Sequence, residues 1–484
     1  MKRALPVVSA LLLAGCNMAP AYRPPINVTI PPSFKEAPGW GVAQPSDAAA
    51  RGEWWALFND PTLDALERKV VITNQNVAAA RGAYEAARAL VMVQRSALFP
   101  TVTGSASGQH SQAFSGGTAT SIGAGSGNGA GVGSNTVTTS GSRYALSIGA
   151  SWEPDLWGRL GNAVTQAKAN AQASAGDLAN ATLSAQGELA TNYVELRGID
   201  AQIVLLDATI KDYRRALTIT TNKYKAGTVA HSDVYQAQTS LSNAIASRQD
   251  LDRQRAVLEH AIAVLAGENP STFSIAPVEW KPVVPAVPGV LPSTLLERRP
   301  DITAAERRVA AANANIGIQR AAYFPDVTLT GNAGTSGGAV RQLFSAATSL
   351  WSFGLSGLMT LLDFGARHGQ VLQARGQYDQ AVATYRQTTL TAFQQVEDNL
   401  AATRSLADVT KSRADAAEAA TRAETIANNQ YRSGLVDYSE VIVAQTTALS
   451  ARQSQIQAVI NQQTAAIALV QAIGGEWSAA APAK

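Results

Sequence analysis

The sequence predicts a mainly α-helical fold that carries a membrane β-barrel segment: long helices, four β-strands per chain and an internal two-fold repeat. Three observations predict it. The chain is written twice, since YKAGTVAHSDVYQAQTSL from Tyr224 returns as YRSGLVDYSEVIVAQTTAL from Tyr431, and LFPTVTGSASG from Leu98 returns as YFPDVTLTGNAG from Tyr323. A repeat this long means one supersecondary unit used twice. Prolines partition the chain next. Seven of the 20 lie in residues 19–45 and seven in 270–300, leaving 155–269 and 326–481 free of proline. Proline costs about 3 kcal/mol inside a helix, so these gaps admit very long helices, and their Ala, Gln, Leu, Arg and Glu favour them. Lastly, four stretches alternate apolar with small polar residues, almost without charge, at the length that crosses a bilayer as a tilted strand.

The elements follow in chain order. Lys2 and Arg3 precede an apolar run, Ala4–Ala14, too short to span a bilayer as a helix. It ends in Leu13-Ala14-Gly15-Cys16, which resembles the bacterial lipoprotein cleavage box. Residues 1–15 thus read as a signal peptide and Cys16 as the lipidation site; the alternative is an ordinary signal followed by a buried thiol. Cys16 is the only cysteine, so no intrachain disulfide forms. Acyl chains bind membranes at about 0.8 kcal/mol per buried methylene. Asn17 rather than Asp follows, which by resemblance to such lipoproteins favours the outer membrane.

Helices are expected at 61–98, 158–225, 229–266, 302–323, 364–432 and 436–474. Asp60-Pro61 is a start signal, with Asp as cap and Pro in the first turn. Thr303 and Glu306 have capping-box spacing. The two longest helices reach roughly 100 Å at 1.5 Å per residue. Strands are expected at about 99–109, 142–153, 325–334 and 350–362. In the second, Tyr144, Leu146, Ile148, Ala150 and Trp152 alternate with Ala145, Ser147, Gly149 and Ser151. In the fourth, Trp351, Phe353 and Leu355 alternate with small residues. Strand edges cannot stay unpaired in lipid, and four strands are too few for a barrel. The chain must therefore oligomerise; two to four copies are open, and three give about twelve strands. Residues 110–141, rich in Gly, Ser and Thr, read as a long exposed loop between strands.

Composition narrows function. Charged residues are 15% and net charge is +3, so no field draws nucleic acid. Catalytic signals are weak. Gly334-Thr335-Ser336-Gly337-Gly338 matches a nucleophile-elbow pattern, with Asp363 and His368 following, but it reads as a strand–strand loop where the elbow needs strand–turn–helix. His110, His231, His260 and His368 lack ligand spacing. No metal, no cofactor beyond the lipid on Cys16, and no enzyme activity are expected. The two turns are stronger signals. Gly227 and Gly434 follow long helices as C-cap glycines do, yet the likeness extends a full turn past them, through Thr228-Val229 and Leu435-Val436. A shared surface role accounts for that.

LLERRPDITAAERRVAAANANIGIQRAAYFP from Leu295, SWEPDLWGRL from Ser151, LLDFGARHGQV from Leu361 and the two Tyr-x-x-Gly turns together resemble the TolC-like outer-membrane efflux channels. The likeness runs from about Trp54 to Trp477. It is to their acylated, NodT/OprM-like branch, the outer membrane factor lipoproteins of tripartite RND-type exporters. The resemblance implies a homotrimer in the bacterial outer membrane, extending into the periplasm, with a 12-stranded barrel and a 12-helix periplasmic tunnel. It implies a periplasmic adaptor (membrane fusion protein) and an inner-membrane efflux pump as partners, and a passive exit duct for small molecules such as drugs. Gly227, Thr228, Val229, Gly434, Leu435 and Val436 would be adaptor-docking tips. Asp233, Tyr431 and Glu440 fall at periplasmic gate positions. Val443 and Val436 stand where the family has an acid and a latch arginine, so closure is expected to rely on packing and on Glu440 or Asp437. The implied organisation is an acylated extended segment at 16–60, a first repeat at 61–266, an equatorial linker at 267–300, a second repeat at 301–475 and a tail at 476–484. Two rivals are a non-channel structural coiled-coil lipoprotein and a surface-anchored hydrolase using Ser336.

Overall fold

The computed structural model describes residues 17–25, 34–36, 53–115, 137–285 and 299–475. The signal peptide, Cys16 and the C-terminal tail lie outside the described residues. The fold divides into two compact units. One gathers Met1–Tyr22, Ala89–Lys168 and Ala311–Tyr378; the other gathers Arg23–Arg88, Ala169–Ala310 and Asp379–Lys484.

The chain order is α1 (Pro61–Thr73), α2 (Gln75–Ser96), β1 (Thr101–Ser115), β2 (Val137–Trp152), α3 (Arg159–Lys225), α4 (His231–Leu265), α5 (Pro300–Ala321), β3 (Asp326–Gly337), β4 (Ser349–Leu358), α6 (Ala366–Arg432) and α7 (Tyr438–Ala472). Helix–strand–strand–helix–helix thus occurs twice, as the repeat requires. α3 and α6 have 67 residues each, and α4 and α7 have 35 each. Among the described residues no helix is long and apolar enough to cross a membrane.

Several boundaries differ from the sequence reading. The helix expected at 61–98 is two. Asn74 takes an extended conformation between α1 and α2. Its Oδ1 accepts the N–H groups of Asn76 (2.9 Å) and Val77 (3.1 Å), capping α2, and its Nδ2 donates to the Leu265 carbonyl (2.8 Å). The segment 16–60 is not wholly extended, because Trp54–Phe58 form a 3₁₀ turn that buries Trp54, Trp55 and Phe58. Thr303 does not cap α5; the helix begins at Pro300 and the Thr303 hydroxyl donates back to the Arg299 carbonyl at 3.2 Å. Asp60 caps α1 as expected, accepting from the N–H groups of Thr62 and Leu63.

The first unit holds one antiparallel sheet in the order β1-β2-β3-β4. β1 and β2 run deeper into the Gly/Ser/Thr insert than expected, pairing as far as Ser115↔Val137. No proline interrupts 101–153, and a ladder needs only backbone N–H and C=O groups, so the pairing continues without an apolar signal. β4 stops at Leu358, short of 362, because its partner β3 begins at Asp326 behind Pro325, which lacks an N–H. The chain before α3 is also tied here. Asn162 Nδ2 donates to Asn17 Oδ1 at 2.9 Å, and Asn313 Nδ2 to the Pro20 carbonyl at 2.9 Å.

The second unit holds the apolar core. Leu63, Leu66 and Val70 follow helical spacing along α1 and meet the 3₁₀ tryptophans, Leu189, Tyr193 and Leu196 of α3, Ile262 and Leu265 of α4, and Ile467 and Val470 of α7. A buried ionic chain lies alongside. Arg197 Nη1 donates to Asp200 (3.2 Å), Arg255 Nε donates to Asp200 (2.7 Å), and the Tyr193 hydroxyl donates to Asp60 (2.6 Å).

Candidate functional site

Two regions carry the functional features, one in each unit. In the sheet, the register decides which side chains share a face. Ala150 pairs with Val102 on one side and Gly331 on the other; Ile148 pairs with Gly104 and Ala333; Trp152 with Leu329; Leu329 with Leu355; and Ala333 with Trp351. Directly paired residues lie on the same face. One face therefore carries Val102, Ala106, Tyr144, Leu146, Ile148, Trp152, Val327, Leu329, Trp351, Phe353 and Leu355. The other carries Thr103, Ser105, Ser147, Ser151, Thr328, Thr330, Asn332, Ser352 and Ser356. Arg143 and Asp326 also lie on this second face, with Leu350 and Leu358, but small polar residues dominate it; an apolar face opposite a mainly polar one is the pattern of a strand between lipid and water. Among the described residues β1 and β4 are edges, each paired on one side.

Register also settles the nucleophile-elbow pattern. Thr335 and Ser336 are not in a loop: they lie within β3, where Ser336 pairs with Ala145 and Thr335 with Leu146 and Ser349. A strand residue has none of the exposed strand-to-helix geometry the elbow requires.

The second region is the pair of turns closing α3–α4 and α6–α7. Gly227 (φ +74°) and Gly434 (φ +75°) adopt the left-handed conformation. Both make the same pair of bonds: Thr228 N–H donates to Lys223 O (3.0 Å) and Gly227 N–H to Tyr224 O (2.9 Å), while Leu435 N–H donates to Gln430 O (2.9 Å) and Gly434 N–H to Tyr431 O (3.1 Å). These are Schellman caps, which satisfy the last carbonyls of the helix. A Cβ at either glycine would meet nothing within 4 Å, so the tips are open on their outer side.

Behind the second tip Tyr431 is buried with Tyr438, Val441 and Ala237, and Val436 packs against them. The two tyrosine rings lie 5.2 Å apart. Lys223, from the other copy of the repeat, sits with its Nζ 3.8 Å from the Tyr431 ring centre and donates to the Tyr431 carbonyl at 3.1 Å. Thr220 Oγ1 lies 3.4 Å from the Tyr431 hydroxyl. Burial, then the neighbouring Tyr431, Tyr213 and Asp233, pushes the Tyr438 hydroxyl up to about 12. A polar cavity of about 340 Å³ adjoins the pair, lined among others by Asp212, Glu424, Tyr431, Tyr438, Gln445 and Arg452. Arg452 Nη2 donates to Glu424 at 2.9 Å, yet desolvation dominates and raises the Glu424 carboxyl.

The structure gathers some of the sequence-derived gate residues and separates others. Tyr431 and Val436 share the apolar cluster, so Val436 contributes packing there. Asp233 is half-buried and accepts from Ser232 Oγ at 3.3 Å. Asp437 and Glu440 are exposed at the start of α7, and Asp437 makes no side-chain cap bond. Val443 is 64% exposed and shares a groove with Glu440, Ala420, Ala423 and Ala427. Thr228, Gly227 and Leu435 are exposed, and Val229 is half-buried. Sequence reading missed Lys223, Thr220 and Tyr438. The repeat held a signal for the last: it aligns Tyr224 with Tyr431 and His231 with Tyr438. In the first copy Tyr224, His231 and Tyr235 stack at 4.5 and 4.4 Å, but there the rings are exposed.

A sheet with lipid-compatible and water-compatible faces, repeated with very long helices that end in matched open turns, defines a membrane conduit component. The family model for outer membrane efflux proteins matches residues 68–268 and 291–475, and the chain belongs to that family, whose members reside in the outer membrane. The probable efflux pump outer membrane protein TtgC of Pseudomonas putida is 29% identical over 473 residues, covering 97% of this chain and 94% of TtgC. Among solved structures, the outer-membrane channel OprN matches with a TM-score of 0.83 at 28% identity, covering 96% of this chain and 100% of OprN. The open state of the MtrE outer membrane channel of Neisseria gonorrhoeae matches with a TM-score of 0.79 at 25% identity, over 95% of this chain and 98% of that one.

Proposed function

We propose that the chain is the passive exit duct of a tripartite efflux system: three copies close a twelve-stranded barrel and a twelve-helix periplasmic tunnel, which an adaptor opens and an inner-membrane pump drives. One observation carries this reading: the four-stranded sheet has an apolar face, a polar face and two edges with no partner among the described residues. In lipid such edges must pair, and sister copies supply the pairing. The polar face of Thr, Ser and Asn then lines a water-filled lumen.

The remaining assignments rest on this frame. Acylation of Cys16 holds the chain to the membrane beside the barrel. The exposed Gly227–Val229 and Gly434–Val436 turns meet the adaptor. The Tyr431–Tyr438 cluster, clamped by Lys223, holds the end of α7 inward, and Asp233, Asp437 and Glu440 set the charge of the closed aperture. Relatives are named for toluene, solvents and antibiotics, so small apolar and amphipathic molecules are the cargo class we favour. A lumen of hydroxyls has little means to select among them, which leaves the choice to the pump.

Purified protein reconstituted in a planar bilayer tests the reading. The expected record is a low, mostly closed conductance from species that migrate on gels as trimers unless heated. Protein that inserts and never conducts, or that is a water-soluble monomer, would sink the duct.

A further inference from the structure

The junction between β4 and α6 displays a hydrophobic finger that none of the assignments above uses. Leu361 is 85% exposed, Leu362 71% and Phe364 93%. Phe364 sits at φ +50°, in the left-handed region that a bulky side chain disfavours. The turn is nonetheless held. Asp363 Oδ1 accepts the Gly365 N–H at 3.2 Å, and its Oδ2 accepts the Arg367 N–H at 3.1 Å and Arg367 Nε at 2.5 Å. The Arg367 guanidinium in turn lies 5.3 Å from the Tyr323 ring centre. A bonded frame thus fixes an aromatic ring in solvent, in a backbone conformation unfavourable to it. Such a display is expected where something apolar receives the ring.

We propose that Met359–Phe364 is a membrane foot, seated in the periplasmic leaflet of the outer membrane where the barrel ends. The proposal rests on the barrel reading, and continuity with the sheet's apolar face identifies the occupant. That face runs along β4 through Trp351, Phe353 and Leu355, and the finger follows directly at the end from which the helix leaves. Length supports the same occupant. On β2 the apolar face extends over the nine residues Tyr144–Trp152. At about 3.4 Å per residue and a tilt of about 40° this covers roughly 21 Å of membrane height. Outer-membrane barrels carry an apolar band of about 25 Å flanked by aromatic girdles, so the strands alone fall short. Leu361, Leu362 and Phe364 extend the band at its lower rim, and the Asp363–Arg367 pair marks the headgroup level, where aromatic residues concentrate at membrane interfaces.

Site-directed spin labelling tests the foot. Cys16 is the only native cysteine, so an unsubstituted control measures background labelling. Nitroxides are placed singly at Phe364→Cys, Phe353→Cys (apolar face of β4) and Ser352→Cys (opposite face). The full-length protein is reconstituted in phosphatidylethanolamine–phosphatidylglycerol vesicles. Collision with oxygen, which partitions into lipid, is compared with collision with a water-soluble nickel chelate. The expected oxygen-to-nickel ratio at Phe364 is close to that at Phe353 and several-fold above that at Ser352. A ratio at Phe364 no higher than at Ser352 would place the finger in water and overturn the proposal. Low accessibility to both reagents would mean that a second copy covers it, which also overturns it. In both cases a lipid-exposed Phe353 leaves the barrel intact, whereas a Phe353 label in water removes the barrel and the foot together.

Discussion

Glu67 lies on α1 with none of its surface exposed, and neither of its carboxyl oxygens has a hydrogen-bond partner among the described residues. Burial raises its carboxyl well above the usual carboxylate range. A group whose folded pKa is raised binds its proton more tightly in the folded state. Its stabilising contribution is full below about 4.5 and is lost as pH rises toward the raised value. Glu67→Met, which fills the site without the desolvated carboxyl, should therefore raise the melting temperature at neutral pH and flatten the pH dependence. The expected gain is about 1–3 kcal/mol. Circular-dichroism melts in detergent at pH 5 and pH 8 check it, and a loss at both pH values would show that the carboxyl is partnered. At the tip, Lys223→Met removes both the contact with the Tyr431 ring and the bond to its carbonyl. At about 1–2 kcal/mol together, the closed state should weaken by about 5- to 30-fold, read as higher open probability in a planar bilayer. Glu440 differs, because it is exposed and has no ion-pair partner among the described residues. Glu440→Ala should raise conductance or weaken cation preference through loss of a ring of charge; an unchanged trace would remove it from the gate.

At the scale of elements, the glycine turns separate two roles that coincide in the structure. Gly227 and Gly434 need the left-handed conformation, so any L-residue there costs about 1–2 kcal/mol, yet space beyond each Cβ position is open. Ala and Trp should therefore cost the fold similar amounts, while only Trp obstructs a partner. The double Gly→Trp variant should keep outer-membrane trimers and lose efflux, and the double Gly→Ala variant should retain most efflux; full efflux from the Trp variant would end the docking assignment. These turns were legible in the sequence because the cap residue, the flanking tyrosine and the following turn recur together. Helix limits were legible for the same kind of reason: the expected 158–225 and 364–432 become Arg159–Lys225 and Ala366–Arg432, since proline and glycine act locally. The break at Asn74 was not legible. Asn is tolerated within helices, and what decides against helix there is the Leu265 carbonyl, supplied from 191 residues away. Lys223 against Tyr431 was hidden likewise, as was the asymmetry that buries Tyr431 and Tyr438 but exposes Tyr224 and His231. Identical local spacing in two copies cannot reveal which copy the core covers.

For the whole molecule, the open edges of the sheet set the central question, and its geometry provides a test that a single chain cannot satisfy. β1 and β4 are separated by β2 and β3. Neighbouring strands lie about 4.8 Å apart, so the two edges of one sheet are on the order of 14 Å from each other. A disulfide needs Cα atoms within about 7 Å. Cysteines placed on β1 and β4 can therefore join only if they come from different copies. Thr103 of β1 and Ser352 and Ser356 of β4 share the polar face, and Gly354 lies between the two serines in β4, so Thr103→Cys combined in turn with Ser352→Cys, Gly354→Cys or Ser356→Cys samples the registers closure could adopt. With both edges engaged around a ring, mild oxidation should convert one of these pairs to covalent trimers that survive heating in detergent and vanish on reduction. The single variants should yield no trimers, because with the native Cys16 thiol acylated each chain has one free cysteine, which can link copies only in pairs. Covalent product that stops at dimers in every register would imply a different closure number, and no product in any register would mean that the edges are not joined to sister chains.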